Sequence, residues 1–203
     1  MAAFSTNSLG KFLLILIALS FHLNSISAAR NLNPKTNTEF IRSSCSSTTY
    51  PQLCYSSLSV QATKINASPK LLANAALNVT LLSAKSTSNS MLKLSHSHGM
   101  KPREVGAMQD CVEELSDAVY ELSKSINEMG KAKGSNFQLM INDIQTWVSA
   151  ALTDETTCSD GFSEQMMDGK LKNNVRGQIV NIAHLTSNAL SLVNNYATLH
   201  GSK

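Results

Sequence analysis

The sequence feature that most constrains the fold is a regular spacing of apolar residues in the middle of the chain. After Pro102, apolar side chains recur with alternating steps of four and three residues, at Met108, Val112, Leu115, Val119, Leu122, Ile126 and Met129. Side chains with this spacing lie on one face of an α-helix, because the helix has about 3.6 residues per turn. Such a helix is stabilised mainly by packing its apolar face against other helices. The pattern therefore predicts one long helix of an antiparallel bundle.

A second long helix is predicted to begin at Ser68-Pro69, where a serine N-cap precedes a proline in the first helical turn. It should end near His98-Gly99. Small polar residues interrupt its expected apolar face, which consists of Leu72, Ala75, Ala76, Val79, Leu82 and Leu94.

Two further helices complete the prediction. Their apolar residues lie over 137–152 and 175–196, and Ser135 with Gln138 resembles a capping box for the first of them. The polar residues 153–169 predict a loop or a loose helical turn. Aromatic residues make up only 5% of the chain, which is low for a β-sandwich. The predicted fold is therefore all-α, an antiparallel four-helix bundle over 68–199.

The first 29 residues have the organisation of a secretory signal peptide. Lys11 precedes an apolar run over 12–21, and Ser27-Ala28-Ala29 places small residues before a cleavage site at Arg30. The run is too short to cross a bilayer, which needs about 20 apolar residues. We therefore expect residues 30–203 to form a single secreted, extracellular domain with no membrane contact after cleavage.

The four cysteines, Cys45, Cys54, Cys111 and Cys158, all follow the predicted cleavage site. An even number in an oxidising compartment predicts two disulfides, and three pairings are possible. The spacing favours Cys45–Cys54 with Cys111–Cys158, because the first pair closes a short local hairpin. A zinc site is the alternative, but no CxxC pair or HxxxH spacing accompanies the cysteines. We predict a disulfide-stapled helical hairpin over 39–66, preceded by a loose polar arm over 30–38.

Two tripeptides, beginning at Asn66 and Asn78, have the sequence that accepts N-linked glycans in a secreted protein. Both are predicted glycosylation sites. Pro69 directly follows the first tripeptide and disfavours its use.

The acidic residues are segregated along the sequence. Eleven of the 14 lie in two stretches without any Lys or Arg, Glu104–Ser123 and Ala150–Gly169, and each stretch contains one cysteine. The two stretches should therefore meet if Cys111 pairs with Cys158. A solvated helix face is the alternative interpretation of such a charge run. We favour a surface for a basic partner, formed by Asp110, Glu113, Glu114, Asp117, Glu121, Asp154, Glu155 and Asp160.

The sequence lacks the signatures of an enzyme. It has no GxSxG segment or phosphate-binding glycine loop, and paired cysteines would leave no thiol nucleophile. His96 and His98 point in nearly opposite directions on a helix, so they could not share a metal ion. The net charge of +3 is too small for a dedicated nucleic-acid binder. We expect no catalysis, no cofactor, no metal and no nucleic-acid partner.

Four segments resemble the plant invertase/pectin methylesterase inhibitor family. They are CSSTTYPQLC over 45–54, DCVEELSDAV over 110–119, WVSAALTDETTC over 147–158 and LTSNAL over 185–190. The resemblance extends over about 38–199. It implies a disulfide-stapled hairpin followed by a four-helix bundle, the same two disulfides, and a protein of the plant apoplast that inhibits an enzyme.

The resemblance also implies a target and a mode of binding. The Pro-Lys-Phe element of invertase inhibitors is missing, and the segment Trp147–Thr153 is more similar to the esterase-inhibitor branch. The implied partner is a plant pectin methylesterase, bound reversibly one to one by a monomer that covers the pectin-binding cleft. Asp117, Thr157 and Asp160 match interface positions of the family. The alternatives are an inhibitor of cell-wall or vacuolar acid invertase and, in a different class, a small-ligand-binding helical bundle.

Overall fold

The protein is described from a computed structural model over residues 34–163 and 169–201, so the predicted signal peptide lies outside the described residues. These ranges contain α-helices and short 3-10 turns and no β-strand, which confirms the all-α prediction. The α-helices are α1 (Pro34–Cys45), α2 (Pro51–Leu58), α3 (Ala62–Ile65), α4 (Pro69–Ser95), α5 (Pro102–Lys131), α6 (Phe137–Gly161) and α7 (Gly169–Gly201).

The four long helices, α4 to α7, form the predicted four-helix bundle. Each packs against the next in the chain, and α7 packs back against α4. Helices α4 and α6 therefore lie at diagonally opposite corners. The most extensive helix–helix contact joins α5 to α6.

The buried face of α5 is wider than the predicted seam. Met108, Leu115, Leu122 and Met129 are fully buried as predicted. Between them, Cys111, Ala118 and Ser125 are also fully buried, whereas Val112, Val119 and Ile126 are only partly buried. The core face is thus rotated toward the smaller residues, because α5 packs against both α4 and α6 and small side chains let the helices approach closely. The hydroxyl of Ser125 donates to the carbonyl oxygen of Glu121 at 2.9 Å.

The predicted apolar face of α4 is partly wrong. Leu82 is 69% exposed, and the bundle side instead carries mostly small residues at helical spacing: Leu72, Ala73, Ala76, Leu77, Thr80, Ala84, Thr87 and Met91. The large side chain at position 82 misled the pattern, because the buried face here is made largely of alanine and threonine.

Three predicted boundaries need correction. Helix α1 begins at Pro34, inside the segment predicted as a loose arm. Helix α6 continues to Gly161 through the segment predicted as a loop, because Cys158 and other buried residues keep the helical spacing. The capping box at Ser135 does not form, since Asn136 is the N-cap and Gln138 donates to the Asn142 side chain at 2.9 Å.

The N-terminal hairpin is stapled by the Cys45–Cys54 disulfide and held on α7 through its turn. The side chain of Asn188 accepts from the Tyr50 backbone N–H and donates to the Tyr50 carbonyl oxygen, both at 3.0 Å. The Tyr50 ring stacks on His184 with ring centres 3.6 Å apart. This stacking gives His184 a structural role.

The core divides into two apolar clusters, and each contains one disulfide. The larger cluster lies beside the hairpin and includes Cys45 and Cys54, while the smaller one surrounds the Cys111–Cys158 disulfide, which confirms the second predicted pairing. Along the helices, the buried polar residues Thr87, Glu155 and Thr186 lie between members of the two clusters. A partial polar layer therefore separates the two clusters along α4, α6 and α7.

Glu155 is the central residue of this layer, and its predicted position on the partner surface is wrong. Its side chain is 0% exposed, because it points from α6 toward α7. Thr186 Oγ1 lies 2.9 Å from Glu155 Oε1 and 3.0 Å from the carbonyl oxygen of Ile182. The single hydroxyl proton can serve only one of these acceptors. Burial raises the pKa of Glu155 to about 8, although the hydrogen bond that Thr186 donates to Glu155 opposes this shift.

We expect the bundle disulfide to stabilise the protein more than the hairpin disulfide. The Cys111–Cys158 bond closes a separation of 47 residues and Cys45–Cys54 one of 9. Loop-closure entropy then predicts that the free energy of unfolding falls by about 4 kcal/mol in Cys111→Ala/Cys158→Ala. It predicts a fall of about 2.5 kcal/mol in Cys45→Ala/Cys54→Ala. Guanidinium unfolding of both variants and the wild type measures these losses. A smaller loss for the 111/158 variant would contradict the prediction.

We also expect stability to fall as pH rises from about 5 to 8. Between the ordinary pKa of 4.5 and the folded pKa of about 8 for Glu155, the folded state holds a proton that the unfolded state releases. Glu155→Gln keeps a neutral donor toward Thr186 at every pH, so its thermal midpoint should vary less over this range. The exposed Glu113→Gln variant controls for the change of charge. Equal pH slopes for wild type and Glu155→Gln would rule out this role.

Candidate functional site

The acidic surface, as we define it, consists of the predicted carboxylates that α5 and α6 leave accessible to solvent. It contains Asp110, Glu113, Glu114, Asp117 and Glu121 of α5 with Asp154 and Asp160 of α6, and Thr157 lies among them. These residues come together because α5 and α6 are antiparallel and joined by the Cys111–Cys158 disulfide. The structure thus assembles every predicted partner-binding residue on this surface except Glu155.

The carboxylates of the two helices are close enough to affect one another. The pKa of Asp154 is raised to about 6, first by partial burial and then by the negative charges of Glu114, Asp117 and Glu121. A hydrogen bond with the Glu114 side chain raises the pKa further. Negative charges on neighbouring carboxylates repel one another and so destabilise the folded state. A cationic group that binds between these carboxylates would relieve the repulsion.

A cleft of about 520 Å³ lies beside the bundle disulfide at one end of the acidic surface. Its lining combines small residues with charged ones: Arg103, Gly106, Ala107, Asp110, Cys111, Glu114, Thr157, Cys158, Asp160 and Gly161. The small residues leave room above the helices, while three carboxylates surround that room. The lining of the cleft therefore carries three carboxylates and one guanidinium group.

The other end of the acidic surface is partly neutralised. Lys124 Nζ lies 3.5 Å from Glu121 Oε2 and sits above the rings of Trp147, at 4.2 Å, and Tyr120, at 5.2 Å. Glu121 is only partly exposed. Lys124 therefore offsets the negative charge of Glu121 at this end of the surface.

A row of hydroxyl groups lies next to the acids on α6, and only Thr157 of this row was predicted from the sequence. Thr153, Thr156 and Thr157 of α6 are exposed and donate to the carbonyl oxygens four residues earlier, at 3.0, 2.7 and 2.9 Å. Ser149, Thr153, Thr156, Thr157 and Asp160 line a second cleft of about 390 Å³. Because the hydroxyl protons are engaged, these oxygens are available as hydrogen-bond acceptors. The signal for them was the spacing of Ser and Thr by three and four residues on one face.

Nothing in this arrangement resembles a metal or membrane site. Over 34–163 and 169–201, no three His, Cys, Asp or Glu side chains are grouped so that they could hold a metal ion. Within the same ranges, no helix is both long and apolar enough to cross a bilayer.

A sequence profile described as "Plant invertase/pectin methylesterase inhibitor" matches residues 39–192. The chain is 44% identical to the "21 kDa protein" of Daucus carota, over 95% of this chain and 98% of that one. It is 43% identical to "Pectinesterase inhibitor 11" of Arabidopsis thaliana, over 92% of this chain and 94% of that one.

The fold is also similar to a solved structure, "Crystal structure of mutant form A of a pectin methylesterase inhibitor from Arabidopsis". The TM-score is 0.61 at 23% identity, over 74% of this chain and 92% of that chain. The profile match covers most of the chain, and the carrot protein and the Arabidopsis inhibitor each exceed 40% identity over nearly their full length. The chain therefore belongs to the plant invertase/pectin methylesterase inhibitor family, whose members are inhibitors and not enzymes.

Proposed function

We propose that the protein inhibits a plant pectin methylesterase by docking its acidic surface beside the enzyme's active site. The observation that carries this proposal is the grouping of carboxylates from α5 and α6 around the bundle disulfide. The names of the relatives, several of which are pectinesterase inhibitors, support the choice of target.

The charge of the surface suits such a target. Pectin is a polymer of uronic acids, so the rim of a cleft that binds it is expected to carry basic residues. An acidic inhibitor surface would be attracted to that rim, and electrostatic complementarity would orient the encounter. Inhibition then follows from steric occlusion in a reversible one-to-one complex, with a monomeric inhibitor and no chemical step.

Within the acidic surface, we propose that Asp117, Thr157 and Asp160 contact the enzyme directly. Thr157 and Asp160 line the disulfide cleft, and Asp117 is exposed on α5 near Asp154. The exposed hydroxyl row of α6 extends this contact with acceptor oxygens. Glu155 takes no part in the contact, because it is buried.

The site of action we propose is the extracellular cell wall. The predicted signal peptide over 1–29, the two disulfides and the tripeptides at Asn66 and Asn78 support secretion. A wall protein would meet the esterase where pectin is modified.

The esterase and invertase alternatives separate in a paired assay. We expect the purified protein to lower pectin demethylesterification by a plant pectin methylesterase and to leave sucrose cleavage by a plant acid invertase unchanged. The absence of the Pro-Lys-Phe element underlies this expectation. Inhibition of invertase alone would replace the proposal with the alternative, and inhibition of neither enzyme would remove both.

Charge reversal tests the surface itself. We expect Asp117→Lys and Asp160→Lys each to weaken inhibition about tenfold, which corresponds to about 1.4 kcal/mol, because each puts a cation opposite a basic rim. The inhibition constant of wild type should also rise with salt, since salt screens exposed charges. The matched control is Glu39→Lys, which makes the same change at an exposed position of the hairpin. Equal effects at positions 39 and 117 would show that net charge matters and the surface does not.

A further inference from the structure

The outer face of α4 combines exposed apolar residues with one of the glycan-acceptor tripeptides. Leu71 is 44% exposed and Leu82 is 69% exposed. Asn78 is exposed and lies seven residues after Leu71 and four before Leu82. On a helix with about 100° and 1.5 Å per residue, the three share a narrow stripe, and Asn78 stands about 6 Å along the axis from Leu82. A group attached to Asn78 would lie over these leucines.

The hydroxyl of Thr80 has no structural use in the described fold. Its side chain is only 1% exposed, and Oγ1 has no hydrogen-bond partner. A buried hydroxyl without a partner destabilises a protein relative to an apolar side chain of the same shape, such as valine. The hydroxyl two residues after an asparagine is, however, what the N-glycosylation tripeptide requires. A threonine at position 80 would therefore be explained by glycosylation of Asn78, a modification that takes place before folding is complete.

The tripeptide at Asn66 differs in this respect, because the fold already uses its residues. The hydroxyl oxygen of Ser68 accepts from the Leu71 backbone N–H at 3.3 Å and caps α4. Asn66 ends α3 in the left-handed conformation, with φ of 48°, which asparagine tolerates better than most residues. Pro69 follows directly. Capping and turn geometry account for this tripeptide without any modification.

We propose that Asn78 carries an N-linked glycan that covers the stripe formed by Leu71 and Leu82, and that Asn66 carries none. In the transfer, Asn78 Nδ2 bonds to C1 of an oligosaccharide held on a lipid diphosphate. The bond from C1 to the phosphate oxygen breaks, and the lipid diphosphate leaves while one amide proton is released.

The folded structure accommodates the product of this transfer. Asn78 Nδ2 donates to the carbonyl oxygen of Asn74 at 2.7 Å. A glycosylated amide keeps one N–H, so this hydrogen bond can remain while the sugar points to solvent. Helix α4 lies diagonally across the bundle from α6. The glycan therefore leaves the α6 part of the acidic surface uncovered, and this inference does not depend on the proposed function.

The test uses the full chain and the variants Asn66→Gln, Asn78→Gln and Thr80→Val, all secreted from plant cells. The mass of each protein is measured before and after treatment with an amidase that removes N-glycans. We expect a glycan mass on wild type and Asn66→Gln and its complete loss in Asn78→Gln and Thr80→Val. A glycan that persists in Asn78→Gln, or is missing from wild type, would overturn the proposal.

Thr80→Val separates the two roles of position 80. In protein made without glycans in bacteria and refolded with its disulfides, this variant should have a thermal midpoint about 2–4 °C above wild type, because the unpartnered hydroxyl is gone. A lower midpoint would show that the hydroxyl stabilises the fold, and it would remove the argument for Asn78 that rests on Thr80.

The covering of the leucines has its own readout. Secreted Asn78→Gln should self-associate more than wild type in light scattering, and Asn78→Gln/Leu82→Lys should return to the wild-type level. The control is Lys64→Gln/Leu82→Lys. It keeps the tripeptide at Asn78 and adds a lysine at position 82 without changing the net charge. If Leu82→Lys gives no rescue, the glycan does not shield this stripe.

Discussion

The covalent bond between α5 and α6 is the constraint on which the acidic surface depends. Cys111 and Cys158 each lie within an acidic segment, so their disulfide brings together charges that would otherwise repel. Burial raises the pKa of Asp154, and the negative charges of Glu114, Asp117 and Glu121 raise it further. Apolar packing around the same disulfide, by Leu115, Phe162 and their neighbours, offsets the repulsion. The acidic surface is thus maintained by the core directly beneath it.

Much of the fold could be predicted from local spacing alone. The long helix after Pro102 and the four-helix bundle follow from the spacing of apolar residues within a few helical turns. The disulfide partners follow from the spacing of the cysteines. The rotation of α5 about its axis did not follow, because it depends on two neighbouring helices at once. The buried face of α4 was missed for a related reason: alanine and threonine fill positions where helices approach closely, and they carry little hydrophobic signal.

The structure brings the predicted acidic residues together on α5 and α6 except Glu155, which is buried. Glu155 follows Asp154 in a segment rich in acidic residues, threonine and serine. Nothing nearby in the sequence therefore indicates that its side chain is buried. Its environment is set by Thr186, thirty-one residues later on α7. Thr153 and Thr156 were overlooked because threonine alone is a weak indicator of binding. For Glu155, the decisive information is the packing of a distant segment, which periodicity does not contain.

The polar layer between the two apolar clusters has a consequence for how the bundle assembles. Apolar seams alone are permissive, since leucines and isoleucines can interdigitate after one helix slides a turn along another. A slide of α6 along α7 would separate Glu155 from Thr186 and leave a carboxyl group among apolar side chains. Isolated polar residues of this kind set the register of coiled coils. By the same logic, the layer selects one longitudinal alignment of these helices.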